Sequence, residues 1–386
     1  MKILYDHQIF TIQKYGGISR YFYELLKAYK NETSVETLLS LKYSNNHYLL
    51  DNKIIKNFAA MPTSDEFLYG VKFKGKAKLF RFCKALRLIE NSELMNKKNS
   101  IQLIKSREYD LFHPTYYDTY FLDYIDKKPF VLTVYDMIHE LFSKKFQNYK
   151  DSTIKTKRVL LNKANAIIAI SENTKKDIVK LYGIDEKKIH VVYLGSSLKN
   201  TKSQLKISMP ERYILYIGER WDYKNFEIFL KSIIPLLKKD KDIYLICGGS
   251  NPFNKNEIKY FKYLDCEHRV LHIKIDNDVI LANLYKHAMA FIFPSLYEGF
   301  GIPILESFSC GCPVILSNSS SFPEVAGDAG VYFNPEDELS IRKAIESVIY
   351  DDNLREEMKK KGYKQLSKFS WEKTALQTKK VYESLI

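Results

Sequence analysis

The chain of 386 residues lacks several features that would place it in a specialised class. No run approaches the roughly 18–20 consecutive apolar residues that a membrane span needs, so we expect no transmembrane helix. The five cysteines include no CxxC pair, and an odd number of them in so long a chain does not indicate a disulfide framework. The start, MKILYDHQIF, lacks the apolar stretch of a signal peptide because Asp6 and His7 interrupt it. We therefore expect a cytoplasmic protein.

Acidic residues are in deficit, with 46 Asp and Glu against 60 Lys and Arg, and the formal net charge is +14. Such an excess is typical of proteins with polyanionic partners, namely nucleic acids, anionic membranes or phosphorylated substrates. Hydrophobic residues make up 45% and charged residues 27%, which excludes a disordered or fibrous chain. The length exceeds the roughly 250–300 residues at which a single core stops growing, so we expect two or three domains.

Short, wholly apolar runs alternate with longer segments of helical periodicity. The runs are KILYDH, YDLFHPT, PFVLTVYD, AIIAIS and IHVVYL in the first half, and YILYIG, DIYLICGG, VLHIKI, AFIFPS and PVILSN in the second. Strands that are apolar throughout are typical of parallel sheets covered by helices on both faces. The two series predict two Rossmann-like α/β domains, 1–200 and 201–370, followed by a helix over 371–386. Ligands should bind where the loops at the carboxyl ends of the strands face a cleft.

The stretch FPSLYEGFGIPILESFSCGCPVI, residues 293–315, carries the strongest chemical signal. A strand leads into a glycine loop, and Pro303 follows at the expected first position of a helix. The N–H groups of residues 299–302 would then point out of the helix and form an anion site at the positive end of its dipole. Glu298 and Glu306 flank this loop, and their positions suit a sugar and a ribose diol. The alternative is a dipole-complementing glutamate and a solvated one.

The segment EGFGIPILESFSCGCPVI resembles the E-x7-E signature of the retaining GT-B glycosyltransferases (group 1, family four), which include bacterial mannosyltransferases. PEVAGDAGVYFNPED and FVLTVYDMIHE resemble further segments of that family. The resemblance implies an α/β GT-B fold, in which two Rossmann-like domains face a central cleft and the C-terminal helix crosses back to the first domain. It also implies that the first domain binds the acceptor and the second the nucleotide sugar. The residues that it assigns to the donor are Glu298, Gly299, Phe300, Gly301, Ile302 and Glu306.

YIGERWDYKN, residues 216–225, places Arg220 and Lys224 in a strand-to-helix loop. Two cations there suit a diphosphate, whose charge increases as it leaves. The segment is similar to the phosphate-clamp loop of the family, in which the lysine lies six residues after the glycine, as Lys224 does after Gly218. Here Glu219 follows the glycine and the arginine comes one residue later. We predict that Lys224 and Arg220 hold the diphosphate.

KYGGISRYFYEL places Gly16 and Gly17 between a strand and a helix, where backbone can closely approach a phosphate or a sugar. The segment is not GxGxxG, which counts against nicotinamide binding. Similar GG-x-x-R segments of the family lie against the donor diphosphate, so the resemblance places Gly16 and Gly17 there.

Two histidines and a Tyr-Asp pair are further candidates for catalytic roles. His113, in FHPTY, and His139, in YDMIHE, follow apolar strands on the expected cleft side. The family often has a histidine after the TV of the second strand, and this sequence has Tyr135 and Asp136 instead. Either these two residues take over the contacts with the donor sugar or His139 does. A structural role is the alternative for each histidine.

Asp276-Asn277-Asp278 fits the Asp-x-Asp pattern of metal-dependent glycosyltransferases. It precedes a helical stretch over 279–287, for which Asp278 is a natural N-cap, and we predict capping rather than metal binding. Cys310 and Cys312 lack the nearby His or Cys partners that a four-ligand zinc site needs. We expect no metal and no other cofactor.

VKFKGKAKLFRFCKALR, residues 71–87, holds seven Lys and Arg and no acid. Apolar residues recur at helical spacing beside these cations, a pattern that suits the surface of an anionic membrane. An ordinary domain helix with a solvated cationic face is the alternative. No recognised binding module accompanies the charge, so we expect no nucleic-acid partner.

These features predict a retaining, metal-independent hexosyltransferase that uses a nucleotide-diphosphate sugar, either GDP-mannose or a UDP-sugar. The acceptor would be a saccharide or a lipid-linked saccharide in the synthesis of a surface polysaccharide such as O-antigen, capsule or lipopolysaccharide. The enzyme would then act in the cytoplasm or on the inner face of the cytoplasmic membrane. The alternatives are a nucleotide-sugar epimerase of the same architecture, a glycogen-phosphorylase-like enzyme that would need a Schiff-base lysine and pyridoxal phosphate, and a basic nucleic-acid-binding protein.

Overall fold

The structure, a computed structural model, describes residues 1–52, 58–63, 67–68, 71, 73–85, 91–145, 151–199, 209–249 and 251–386. The strands are β1 (Lys2–Tyr5), β2 (Glu36–Leu39), β3 (Leu111–His113), β4 (Val131–Val134), β5 (Ala166–Ala169), β6 (Ile189–Val191), β7 (Arg212–Ile217), β8 (Ile243–Gly248), β9 (Val270–Ile273), β10 (Ala290–Phe293), β11 (Val314–Ser317) and β12 (Gly330–Phe333). The helices are α1 (Gln8–Ile12), α2 (Gly17–Tyr29), α3 (His47–Asn52), α4 (Lys76–Ala85), α5 (Ser92–Ser106), α6 (Ile138–Phe142), α7 (Asp151–Lys163), α8 (Glu172–Tyr182), α9 (Phe226–Lys239), α10 (Lys255–Tyr263), α11 (Asp278–His287), α12 (Ile302–Ser309), α13 (Phe322–Ala326), α14 (Glu338–Ile349), α15 (Asp352–Leu366) and α16 (Trp371–Glu383). Within these ranges, no helix has both the length and the apolar character that a membrane crossing requires.

The amino-terminal domain is built around strands β1 to β6. They form two three-stranded sheets, in the orders β2-β1-β3 and β4-β5-β6, and all of their pairings are parallel. A parallel bridge between Phe112 and Phe130 joins the two sheets. Residues of the central strands, such as Ile3, Leu111 and Ile168, are fully buried. The wholly apolar sequence of these strands therefore reflects a sheet covered on both faces.

The carboxy-terminal domain contains one six-stranded sheet in the order β12-β11-β10-β7-β8-β9. All of its pairings are parallel. The order reverses between β7 and β10, because the strands on either side of this pair continue in opposite directions along the chain. Open α/β sheets bind their ligands at the carboxyl ends of the strands next to such a reversal. The loops that follow β7 and β10 therefore occupy the expected ligand position.

The last helix, α16, packs against α2 of the amino-terminal domain. The Tyr29 hydroxyl donates to the Ala375 carbonyl oxygen at 2.7 Å. The Tyr382 hydroxyl lies 3.0 Å from that of Tyr5 and 2.6 Å from Nδ1 of His113. The helix thus crosses back to the first domain, as predicted. The predicted domain boundary at residue 200 lies outside the described residues.

All ten apolar runs of the sequence form strands of the parallel sheets, which confirms the predicted α/β class. Two details of the helix starts differ from the prediction. Helix α12 begins at Ile302, so Pro303 is its second residue rather than its first. Helix α11 is capped by Asn277, whose side chain accepts from the Ile280 N–H at 3.0 Å, and not by Asp278.

Candidate active site

A cavity of about 370 Å³ lies between the two domains, at the carboxyl ends of β7 and β10. The predicted site residues that line it are Gly17, Tyr135, Asp136, Gly218, Lys224, Glu298, Gly299, Phe300, Gly301 and Ile302. These residues come from four segments that are far apart in the sequence. The structure therefore brings the glycine loop, the lysine loop, the start of α2 and the Tyr135–Asp136 segment to one place.

The glycine loop places the amino end of α12 at this cavity. Gly301 caps the helix with a φ of 96°, in the left-handed region that glycine adopts readily. A Cβ atom there would lie 3.0 Å from Cδ1 of Ile304 and 3.2 Å from Cε1 of Phe322. The first N–H groups of a helix have no partner within it, and the helix dipole is positive at this end. The loop can therefore hold an anion beside the cavity.

Lys224 and Glu298 form an ion pair at the wall of the cavity, with 2.6 Å between Nζ and Oε1. The two side chains are 17% and 13% exposed. The Ser295 hydroxyl donates to the same oxygen of Glu298 at 2.8 Å, and the Glu298 N–H donates to the Ser320 hydroxyl at 3.0 Å. The carboxylate is therefore fixed in position, and it orients a lysine that lines the same cavity as the start of α12.

The two domains touch at Gly299. A Cβ atom built on this residue would lie 2.8 Å from the carbonyl carbon of Tyr135 and 3.2 Å from Cβ of Asp136. The Thr174 hydroxyl of the amino-terminal domain donates to the Gly299 carbonyl oxygen at 3.3 Å. Farther along the same cleft, a Cβ atom on Gly17 would lie 3.8 Å from Cδ1 of Ile302. The glycine loop thus approaches the backbone of the other domain too closely for a side chain at position 299.

Tyr135 and Asp136 face the cavity from the end of β4. The Tyr135 N–H donates to the Tyr117 hydroxyl at 3.1 Å, and the Tyr135 hydroxyl donates to the Thr115 carbonyl oxygen at 3.3 Å. Burial raises the pKa of Tyr135 well above its ordinary value, so its hydroxyl is neutral. One carboxylate oxygen of Asp136 accepts from the Ile138 N–H at 3.1 Å.

A buried ion pair contacts the backbone of Asp136. Lys157 is fully buried, and its Nζ lies 3.0 Å from both the Asp136 carbonyl oxygen and Oε2 of Glu140. The Tyr182 hydroxyl donates to Oε1 of Glu140 at 2.7 Å. Sequence reasoning missed Lys157, because a lysine in a polar helix carries no signal that it is buried.

Glu306 lies one turn along α12 from the cavity and faces helix α2. Its Oε1 is 3.8 Å from Nη1 of Arg20, and its Oε2 accepts from the Tyr285 hydroxyl at 3.5 Å. Nη2 of Arg20 is 3.1 Å from Oδ2 of Asp278. Burial raises the pKa of Glu306 to about 7, although the charge of Arg20 opposes the rise. Arg20 was not predicted as a site residue, and the signal that could have found it is the arginine of GG-x-x-R.

The structure does not bring Arg220 to the cavity, which corrects its predicted place beside Lys224. Its Nε is 2.7 Å from Oε1 of Glu257, and Nη2 donates to the Asn251 carbonyl oxygen at 2.8 Å. The guanidinium carbon lies 4.7 Å from the centre of the Phe253 ring. These partners lie in the first turn of α10 and just before it. The Arg220 guanidinium therefore does not act together with Lys224 in this structure.

His113 does not line the cavity, and its surroundings fit the structural alternative rather than the predicted catalytic role. It is fully buried, and its Nδ1 and Nε2 lie 2.6 Å from the Tyr382 hydroxyl and 2.9 Å from Oγ1 of Thr133. Burial lowers its pKa to about 3, so the ring is neutral and belongs to the core. His139, on α6, is half-buried, and burial lowers its pKa, while the charges of Asp136, Lys157 and Glu140 also act on it.

Gly16 caps α2 with an extended φ of 167°, and a Cβ atom there would meet the side chain of Gln13. It thus has a local role at the start of the helix, next to Gly17 at the cavity.

The Asp-x-Asp segment does not converge on one point. Asp276 pairs with Lys274 at 2.6 Å, Asn277 caps α11, and Asp278 pairs with Arg20 of the other domain. The predicted capping role therefore belongs to the middle residue, and Asp278 makes a contact between domains that the sequence did not indicate.

Two family models match the chain in succession. The model described as "Glycosyltransferase Family 4" matches residues 15–199, and the one described as "Glycosyl transferases group 1" matches residues 198–365. The two matches meet at residues 198–199, and the second includes the glycine loop and the lysine loop.

Among curated proteins, the chain is similar to the O-antigen chain mannosyltransferase B of Escherichia coli, with 31% identity over 58% of this chain and 62% of the relative. It is also similar to the O-antigen chain mannosyltransferase RfbU of Salmonella typhimurium, with 28% identity over 50% of this chain and 53% of the relative. The matched part thus spans between half and two thirds of the length of these relatives.

Among solved structures, Anabaena Alr3699/HepE in complex with UDP and glucose matches with a TM-score of 0.71 at 17% identity, over the full length of both chains. Sucrose-phosphate synthase from Thermosynechococcus elongatus matches with a TM-score of 0.72 at 17% identity, over 100% of this chain and 99% of that one. This likeness confirms the predicted GT-B fold, with its two Rossmann-like domains. With the two family models spanning residues 15–365, the chain belongs to the group 1 glycosyltransferases.

Proposed function

We propose that the chain is a retaining, metal-independent hexosyltransferase that moves a hexose from a nucleotide-diphosphate sugar to a saccharide or lipid-linked saccharide acceptor. The observation that carries this proposal is the convergence of Lys224, Glu298 and the start of α12 on one cavity between the domains. These groups follow β7 and β10, which flank the point where the strand order reverses.

A diphosphate suits this arrangement because the wall of the cavity supplies positive charge from two sources. Lys224 provides a point charge, and the first N–H groups of α12 provide hydrogen-bond donors aligned with the helix dipole. Glu306 lies farther along the same helix, where its carboxylate can accept from both hydroxyls of a ribose. The hexose would then lie beside Glu298 and the Tyr135–Asp136 segment.

In the reaction, the acceptor hydroxyl attacks the anomeric carbon on the face from which the diphosphate leaves. The bond between that carbon and the diphosphate oxygen breaks, its electron pair leaves with the diphosphate, and a diphosphate oxygen takes the hydroxyl proton. Lys224 and the amino end of α12 stabilise the negative charge that develops on the leaving group. The protein therefore acts by positioning and electrostatics, without a side-chain base.

Mannose is the hexose that we favour, because the two curated relatives described above are named mannosyltransferases. The donor would then be GDP-mannose. A UDP-sugar is the second choice, since HepE is in complex with UDP and glucose. The names of the relatives also support an acceptor in O-antigen or a related surface polysaccharide, such as capsule or lipopolysaccharide.

A thermal-shift panel of UDP, GDP, ADP and the hexose conjugates of each would test the donor. A ligand at 100 times its Kd stabilises the native state by about 2.7 kcal/mol, which is a melting shift of a few degrees. We expect the shift with GDP or UDP compounds and not with ADP. Product analysis with and without a saccharide acceptor then separates transfer from epimerisation. Epimerised nucleotide sugar, formed without acceptor, would refute the transferase.

The basic segment 71–87 is the proposed membrane contact, and its residues 72 and 86–87 lie outside the described residues. Its described part includes α4, where Leu79 is 38% and Phe82 59% exposed beside Lys78 and Arg81. Exposed apolar groups beside cations suit an anionic lipid surface, and each basic residue near it contributes about 1 kcal/mol. We propose that this segment holds the protein on the inner face of the membrane, next to a lipid-linked acceptor.

Vesicle flotation tests this contact. The wild-type protein should float with anionic vesicles and not with neutral ones, and Lys78→Glu with Arg81→Glu should abolish flotation. Lys359→Glu with Lys361→Glu, on α15, is the charge-matched control. Equal flotation on both lipids would contradict the electrostatic contact.

A further inference from the structure

Arg20 reaches from helix α2 of the amino-terminal domain to two carboxylates of the other domain. Its Nη2 is 3.1 Å from Oδ2 of Asp278, and its Nη1 is 3.8 Å from Oε1 of Glu306. The side chain is 7% exposed, and its guanidinium carbon lies 5.6 Å from the centre of the Tyr48 ring. A buried cation is stable only if it is paired, and here both carboxylates come from across the cleft.

The two carboxylates lie on neighbouring helices and repel each other. Asp278 is the first residue of α11, and Glu306 is on the second turn of α12. Arg20 lies between them and offsets this repulsion. The Tyr15 hydroxyl also donates to Oδ1 of Asp278, at 3.3 Å. Tyr15 and Arg20, which lie on either side of Gly16 and Gly17, therefore both contact this acidic pair across the cleft.

Arg20 also affects the charge of Glu306. Burial raises the pKa of Glu306, the charge of Arg20 lowers it and that of Asp278 raises it, and the combined effect places this pKa at about 7. The titratable and charged groups that face Glu306 are Arg20 of α2, Tyr15 before α2, Asp278 and Tyr285 of α11, and Cys310 after α12. Burial raises the pKa values of Tyr15, Tyr285 and Cys310, so these three stay neutral near pH 7. Loss of the arginine would therefore favour the protonated form of Glu306.

We propose that Arg20 is a positioning residue of the donor site: it holds the Glu306 carboxylate in the charge and orientation that bind a ribose diol. The inference rests on the proposed function, in which Glu306 binds the nucleoside. Since Arg20 and Glu306 belong to different domains, nucleoside binding in one domain depends on an arginine of the other. Closure of the cleft and nucleotide binding should therefore favour each other.

Calorimetric titration of UDP and GDP into variants tests this role. Arg20→Met should weaken binding of the preferred nucleotide roughly 10- to 100-fold at about pH 6.5, the range for loss of a charged hydrogen bond. The ratio to wild type should shrink towards about pH 8.5, where Glu306 ionises without help. The ratio cancels the titration of the nucleotide itself. Arg20→Lys, which keeps the charge, should recover part of the affinity.

Arg212→Met is the control, because Arg212 forms an ion pair of the same 3.1 Å length with Asp240, in which the arginine is more exposed and both partners belong to one domain. It should bind nucleotide like the wild type. In a Glu306→Gln background, Arg20→Met should add little, because the group through which the arginine acts is no longer ionisable. If circular dichroism shows that Arg20→Met does not fold, the nucleotide affinity of Arg20→Lys is compared with that of the wild type at the same two pH values. The loss of affinity expected for Arg20→Lys is smaller.

Three results would overturn the inference. The first is wild-type affinity in the folded Arg20 variants at every pH. The second is a loss that neither varies with pH nor disappears in the Glu306→Gln background, because that result indicates a purely structural arginine. The third is a wild-type protein that binds neither UDP nor GDP, which would overturn the proposed function and this inference together.

Discussion

Replacing Gly299 by alanine should impair sugar transfer more than nucleotide binding. The added methyl would lie 2.8 Å from the carbonyl carbon of Tyr135 and 3.2 Å from Cβ of Asp136. Carbon atoms in contact need about 3.5–4.0 Å, and the Tyr135 carbonyl oxygen lies nearer to the methyl than either carbon, so the loop and the Tyr135 peptide must separate by at least about 1 Å. The obstructing atoms belong to the backbone and to a first side-chain carbon, which a rotamer change cannot move away.

The size of the effect follows from that displacement. A misplacement of about 1 Å at the reacting centre can cost roughly 100-fold in rate, so kcat should fall by about that factor. The affinity for UDP or GDP should fall less than kcat, because Lys224 and helix α12 belong to the same domain as residue 299 and move with it. Of the contacts that we assign to the nucleotide site, only the one between Arg20 and Glu306 crosses the cleft and would lengthen.

Initial rates of hexose transfer, calorimetric titration and thermal melting would measure the three quantities separately. Gly330→Ala is the control, because its methyl on β12 would meet only side-chain atoms, the nearest at 3.2 Å, away from the cleft. It should lower the melting temperature slightly and preserve kcat. Wild-type kcat in Gly299→Ala would refute the reasoning, since the close approach of the two domains would then be unnecessary for transfer.

Three further substitutions test other parts of the site. Lys224→Met should lower kcat about 10²–10³-fold, as loss of an oxyanion donor does, and an unchanged rate would contradict its role at the diphosphate. Lys157→Met leaves the buried Glu140 unpaired and should reduce the free energy of unfolding by about 3–5 kcal/mol in urea, whereas adding Glu140→Gln should restore much of it. His113→Gln should lower the free energy of unfolding by about 1–3 kcal/mol, because the hydrogen bonds of His113 are buried, and it should leave kcat unchanged. A fall in kcat without a loss of stability would indicate that His113 belongs to the active site after all.

The central strands were predictable because both faces of each sheet are covered, which requires apolar residues at every position. Strands β2 and β12 lie at the edges of their sheets and were missed, whereas the edge strands β6 and β9 were found because they belong to the longer apolar runs IHVVYL and VLHIKI. An edge strand is partly accessible, so its sequence need not be apolar. In β2, for example, Glu36 is exposed and pairs with Lys2 at 3.1 Å.

The convergence of Lys224, Glu298 and Gly299 was predictable because each lies in a loop at a strand end, and the fold brings those loops together. The direction of a side chain was not. Arg220 pairs with Glu257, which is 37 residues away in the sequence. His113 is the last residue of β3, where its side chain faces the core rather than the cleft. The contact of Arg20 with Glu306 depends on how the two domains meet, which local sequence patterns do not contain.

The position of Tyr382 has a consequence for biosynthesis. This residue completes a hydrogen-bonded cluster with Tyr5 and His113 in the core of the amino-terminal domain. The ribosome must therefore translate the whole carboxy-terminal domain before the amino-terminal domain can receive its last core residue. We infer that the nascent amino-terminal half leaves the exit tunnel with an apolar surface beside α2 that stays uncovered until residue 382 has itself left the tunnel.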